Sequence, residues 1–302
     1  MVLLCLPFGS HADDSISGTL GAVGSDTMAE LMLRWGEALN ARHPGIRLQF
    51  KAGGSAEAPT ALLAGTTRLG PMSRRMTAEE HDAFVARYGY PPLALKVAQD
   101  ALTVVVHRHA PLDRLTLEQI DALFSTTRRC GADTALTRWE QLPLKHPWPY
   151  GKVALHGRNL ASGTHGLFRQ EGLCEGRFRA DISEHPGSSA VVAAVGESPG
   201  AMGYTGYNHL TPAVRALAVE DAAGRAIPPT PQTIQSGAYP LTRFLYLYVN
   251  LPPDESLPAV ENALLELILS PQGQRIAQAA GFVPLTDAMR DTQRLPELLS
   301  PE

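Results

Sequence analysis

The sequence predicts an α/β protein with mostly parallel sheets, divided between two domains. Three observations carry this. Strand-like runs alternate with helical periodicity along most of the chain. Three strands lead through a hydroxyl-rich turn straight into a helix start, at Ser25 to Thr27, Gly53 to Ser55 and Ser162 to Thr164. The length of 302 residues suffices for two domains of ordinary size.

The elements follow in order. Gly18 to Val23 reads as a first strand, and Met28, Leu31, Met32, Trp35 and Leu39 then recur at helical spacing as a core stripe. Ile46 to Phe50 alternates as a strand, followed by Lys51-Ala-Gly-Gly-Ser55 and a helix from Ala56 to Ala64. Thr77 with Glu80 signals a capped helix, broken at Tyr88-Gly-Tyr-Pro-Pro92. Leu93 to Val97 and Leu102 to Val106 are strand-like, with Asp100 in a turn between them. Thr116 with Gln119 opens a helix over Leu115 to Phe124, and the segment from Thr126 to Pro149 is irregular. Val153 to Leu155 is a short strand before Gly157 to Phe168. Ser188 and Ser189 cap a helix over Ala190 to Val195, and Ala201 to Thr205 is a strand. Arg215 to Val219 and Leu241 to Val249 are strands, and helices over Leu257 to Leu269 and from Ser270 to about Ala280 close the fold. If Ala101–Val106 pairs with Leu241–Val249 as crossing strands, the residues between them form one inserted domain.

The net charge of −4 argues against a nucleic-acid binder, which needs a basic surface. An anion on such a chain is held locally, by aimed donors. Residues 1–12 read as the remnant of a signal peptide, with Ser10-His11-Ala12 as the cleavage triplet before Asp13. No later run approaches the roughly 18 uninterrupted apolar residues that span a bilayer. Cys5 leaves with the leader, so Cys130 and Cys174 remain as an even pair in an oxidising compartment, and one disulfide is expected; two buried free thiols are the alternative. No metal site or cofactor is expected.

The turn Gly157-Arg-Asn-Leu-Ala-Ser-Gly-Thr164 supplies what an oxyanion needs. Ser162 and Thr164 offer hydroxyls, Gly163 permits close backbone approach, and a helix start presents free N–H groups. Arg158 adds a charged fork of donors. Ligands of open α/β sheets sit at the carboxyl ends of strands, so the three turns can face one cleft.

Together with Gly24-Ser-Asp-Thr-Met28, Ala52-Gly-Gly-Ser55, Gly70-Pro-Met-Ser-Arg-Arg-Met76 and Tyr239-Pro-Leu-Thr-Arg-Phe-Leu-Tyr-Leu-Tyr-Val249, this stretch resembles the substrate-binding protein of the phosphate ABC importer, the PstS family. The resemblance runs from about Gly21 to Leu285. It implies a type II periplasmic-binding-protein fold, with two α/β lobes joined by two crossing hinge strands: residues 13–100 and 241–302 in one lobe, 101–240 in the other. It implies a periplasmic monomer that captures inorganic phosphate and delivers it to a membrane ABC permease. Ser25, Asp26, Thr27, Ser55, Ser73, Arg74, Arg158, Ser162, Gly163 and Thr164 are the expected phosphate ligands.

One departure matters. Many members of that family carry an aspartate after the second helix, where it accepts the proton of HPO₄²⁻; here the stretch reads Pro71-Met72-Ser73-Arg74. The role then falls to Asp26, to Glu57, to a backbone carbonyl or to nothing, and Asp26 has helix capping as its alternative. Arg74 lends its charge either to the site or to a carboxylate. Another oxyanion, sulfate, is the rival ligand. A secreted phosphatase is the rival class, with Ser25 or Ser162 as nucleophile, but the sequence has neither a Gly-x-Ser-x-Gly elbow nor a His-Glu-x-x-His motif.

Overall fold

The computed structural model describes residues 16–293. The expected leader, with Cys5, Ser10, His11 and Ala12, lies outside the described residues.

The first lobe is built from β1 (Ser17–Val23), α1 (Ala29–Arg42), β2 (Gly45–Lys51), α2 (Glu57–Leu63), β3 (Leu69–Met72) and α3 (Ala78–Tyr88). A long strand, β4 (Leu93–His107), leads out of it. The second lobe holds β5 (Arg114–Leu115), α4 (Leu117–Phe124), β6 (Ala154–Arg158), α5 (Gly163–Leu167), β7 (Ser183–His185), α6 (Ser188–Glu197) and β8 (Ala201–Gly206). It continues through β9 (Val214–Ala216), β10 (Ala218–Glu220), β11 (Ala226–Ile227) and α7 (Pro231–Gln235). Then β12 (Thr242–Val249) returns to the first lobe, which α8 (Ala259–Leu269), α9 (Pro271–Ala279) and α10 (Asp287–Asp291) complete.

The main strand order is β2-β1-β3-β12-β4-β8-β6-β7. Strands β1, β2 and β3 are parallel, as are β6, β7 and β8; the antiparallel pairs of this order all involve β4 or β12. Two sequence expectations change here. Asp100 is not in a turn: β4 runs unbroken through it. An acid between two apolar runs reads locally as a break, but a buried carboxylate is tolerated mid-strand when a cation from another segment pairs with it. That partner is Arg243. Nor does Leu241–Val249 pair along Ala101–Val106: the two meet only at one end, where Thr242 lies opposite Ala101 and Leu102 N–H donates to Leu241 O. Strand β12 pairs with Leu93–Ala101, and β4 then switches partner to β8 over Leu102–Val106.

Two main cores lie on either side of that switch. In the first lobe the α1 stripe, Met28, Leu31, Met32, Trp35 and Leu39, is fully buried, at 0% exposure, against Leu245 and Leu247 of β12 and Leu264 and Ile268 of α8. Each such side chain contributes roughly 1.5–3 kcal/mol. The indole N–H of Trp35 donates to the Gly273 carbonyl, so its burial leaves no polar group unpaired. In the second lobe Leu102, Val104 and Val106 of β4 pack with Phe124, Trp139, Phe168 and Tyr204. The capping boxes read at Thr77/Glu80 and Thr116/Gln119 both form. At α6 the expected cap fails: Gly187 is the N-cap, and the Ser188 hydroxyl is engaged elsewhere.

Candidate functional site

Three turns leave the carboxyl ends of β1, β2 and β3 and are tied together by their backbones. Gly54 N–H donates to Gly24 O at 2.8 Å, and Ser25 N–H donates to Pro71 O at 2.8 Å. This stacks Thr27, Ser55 and Ser73, each at most 2% exposed. Ser55 Oγ accepts the Ser73 amide at 3.0 Å and lies 3.2 Å from Ser73 Oγ. From the second lobe the turn after β6 comes down on this cluster. Thr164 Oγ1 lies 3.3 Å from Thr27 Oγ1, and Ala56 N–H donates to Ala161 O at 3.2 Å across the lobes. A Cβ on Gly163 would stand 2.3 Å from Ser55 Oγ and 2.4 Å from Ser73 Oγ, so only glycine allows this approach.

Arg158 is 1% exposed and its guanidinium is held on every side. It donates to Asp26 Oδ2 at 2.5 Å, to Pro186 O at 2.9 Å and to Ser188 Oγ at 2.9 Å. Its backbone is fixed by Tyr204, whose hydroxyl accepts from Arg158 N at 3.1 Å. A Cβ at Gly157 would lie 2.5 Å from the Tyr204 ring, so the glycine before Arg158 is what lets that ring in. Tyr204 also stacks on Phe168 with centroids 4.1 Å apart, and burial raises its pKa above that of an ordinary phenol.

The remaining expected residues take distinct places. Ser162 Oγ accepts the Thr164 amide at 3.1 Å, the work of a helix cap. Ser25 Oγ and Asp26 Oδ1 are buried without a hydrogen-bond partner. Asp26 therefore does not cap its helix: one oxygen faces Arg158 and the other is unpartnered. Glu57 pairs with Lys51 at 2.9 Å on a solvent-exposed edge. Arg74 gives its charge to a carboxylate, both terminal nitrogens donating to Glu80 at 2.6 Å.

Two central residues escaped the sequence reading. Arg243 of β12 donates to Asp100 Oδ2 from Nε at 2.9 Å and from Nη2 at 2.5 Å. Its Nη1 donates to Thr164 Oγ1 at 3.0 Å and to Ser73 O at 3.3 Å. The signal was a charge within each of two largely apolar strands. Each of the three arginines here thus has its own carboxylate: Arg158 with Asp26, Arg243 with Asp100, Arg74 with Glu80. The cluster offers aimed donors, not surplus positive charge. Among the described residues no group of three or more His, Cys, Asp or Glu side chains gathers to hold a metal ion.

The comparisons with known proteins agree with this architecture. The profile of the PBP superfamily domain matches residues 9–270. The phosphate-binding protein PstS of Pseudomonas aeruginosa is 44% identical over 271 residues, covering 89% of this chain and 84% of that protein. The chain belongs to the PstS family. The phosphate-binding protein PstS of Staphylococcus epidermidis is 25% identical, covering 91% of this chain and 81% of its own. Among solved structures, an ABC-type phosphate transport receptor from Vibrio cholerae superposes with a TM-score of 0.70 at 20% identity, over 87% of this chain and 99% of that one. The PstS-family chain thus has the two-lobed type II fold. Behind α5, Cys130 and Cys174 are joined in a disulfide with their Cα atoms 5.4 Å apart. No helix among the described residues is long and apolar enough to cross a membrane.

Proposed function

We propose that this chain captures inorganic phosphate between its lobes outside the cytoplasm and delivers it, as a monomer and without catalysis, to the membrane permease of an ABC importer. The convergence of Thr27, Ser55 and Ser73 from one lobe with Arg158, Gly163 and Thr164 from the other carries this reading. The lobe division expected from the sequence, residues 13–100 with 241–302 and 101–240, is supported by the change of β4 partner between Ala101 and Leu102. Several charge-assisted bonds, each about 1.5–3 kcal/mol, suffice for tight binding. Ser162 spends its oxygen on a helix cap, which supports a binding role over a nucleophilic one.

Asp26 is the proton acceptor in this reading. Phosphate near neutral pH retains a proton that sulfate lacks, and an unpartnered buried carboxylate oxygen accepts from the one and repels the other. Parallel calorimetric titrations with phosphate, arsenate and sulfate test both parts. Phosphate and arsenate bind and sulfate does not. Absence of phosphate binding removes the proposed function, whereas sulfate binding of equal strength removes only the role of Asp26. In Asp26→Asn, phosphate affinity falls and sulfate affinity rises.

A further inference from the structure

Arg243 belongs to none of the strand–turn–helix units that form the site, yet its side chain is only 2% exposed, on the strand that returns through the hinge. Its register partner on the outgoing hinge strand is Asp100, which is fully buried. Two nitrogens of the fork, Nε and Nη2, donate to one oxygen of that carboxylate, Oδ2. The third, Nη1, reaches both lobes at once: the Ser73 carbonyl at 3.3 Å in the first and the Thr164 hydroxyl at 3.0 Å in the second. Neutralising Asp100 does not require this reach.

We infer that Arg243 is a positioning residue, a latch carried by the hinge that aims the Thr164 hydroxyl and couples ligand binding to lobe closure. The inference rests on the phosphate-binding reading above. A hydroxyl has one proton and two lone pairs. With one lone pair taken by Arg243, the Thr164 proton points away from the guanidinium, toward the space it shares with Thr27 Oγ1, 3.3 Å off. Asp100 fixes the plane of the fork so that Nη1 faces Thr164. Lysine, a point charge on a flexible stem, cannot bond Asp100 doubly and also reach two lobes. Because Ser73 and Thr164 belong to different lobes, both bonds hold together only when the lobes are in contact.

A double-mutant cycle on phosphate affinity tests this. The wild-type titration comes first, since its failure removes the binding function itself and failure in the variants removes only the latch. Arg243→Lys and Thr164→Val should each weaken phosphate binding by roughly tenfold or more. Combined, they should be no weaker than the worse single variant by more than about twofold. Thr164→Ser, which keeps the hydroxyl, should lose less affinity than Thr164→Val. At saturating phosphate, small-angle scattering should show Arg243→Lys more extended than wild type. Unchanged affinity in Arg243→Lys, or losses that multiply in the double variant, would overturn the inference. If Arg243→Lys does not fold, Arg243→Leu with Asp100→Leu removes both buried charges and carries the same cycle.

Discussion

Arg158 Nη2 and Asp26 Oδ2 lie 2.5 Å apart across the two lobes, with 132 positions of sequence between them. The guanidinium side is 1% exposed and the carboxylate side 18%. Charges so far out of water interact strongly, and removing one strands the other. Arg158→Ala therefore takes away a donor to the anion and leaves Asp26 to repel it. Calorimetry should show phosphate affinity weakened by roughly 2–5 kcal/mol. Affinity equal to wild type would take Arg158 out of the site.

Gly163 tests the contact between lobes rather than the charge. The methyl of Gly163→Ala would collide with Ser55 Oγ and Ser73 Oγ, which belong to the facing lobe. Each lobe keeps its own core, so the unliganded protein should unfold within a few degrees of wild type, while phosphate affinity falls at least about tenfold because the donors no longer converge. Equal loss of thermal stability and affinity would show instead that the residue matters for folding alone.

How much of this was legible in the sequence depends on how local each signal is. The α1 stripe was, since Leu31, Met32, Trp35 and Leu39 follow a periodicity contained in one helix, with Met28 at its N-cap. So were the capping boxes, which need residues only three apart. Thr27, Ser55 and Thr164 could be picked out because each sits at a strand–turn–helix junction of recognisable composition. Asp100 and Arg243 were not legible as a pair. Each is a charge within a largely apolar strand, and only the β4–β12 ladder, joining positions 143 apart, reveals what neutralises it. Ser188 was misread for the same reason: its neighbours suggest a cap, but a guanidinium 30 positions earlier takes its hydroxyl. The register of β12 along β4 was misplaced because a turn placed at Asp100 split β4 into two short strands.

The disulfide closes a loop between positions 44 apart, from the turn after α4 to the segment behind α5. Chain-entropy arithmetic for a loop of that size gives about 4 kcal/mol of stabilisation. Cys130→Ser with Cys174→Ser should lower the urea midpoint accordingly. Phosphate affinity measured on the folded fraction should change little, because neither cysteine contacts Thr164 or Arg158. A midpoint unmoved by both substitutions would show that the covalent link adds nothing to stability.

His165 makes stability depend on pH. Its ring packs against Phe178 with centroids 4.3 Å apart, and burial, reinforced by the charges of Arg169 and Arg158, lowers its pKa from 6.5 to about 4. Between those values the unfolded chain binds a proton that the folded imidazole refuses. By linkage, the contribution of His165 is fully present above pH 6.5 and is lost as pH falls toward 4. Its size is on the order of 2 kcal/mol after allowing for partial solvent screening. Histidines 107, 156, 185 and 209 are also shifted down, chiefly by burial, and add slopes of the same sign. A difference measurement isolates the one of interest: urea unfolding of wild type and His165→Phe at several pH values from 7.5 down to 5. The phenyl ring preserves the stacking and cannot titrate, so the variant should lose less stability on acidification than wild type. Parallel curves for the two proteins would mean that His165 protonates in place, at no cost to the fold.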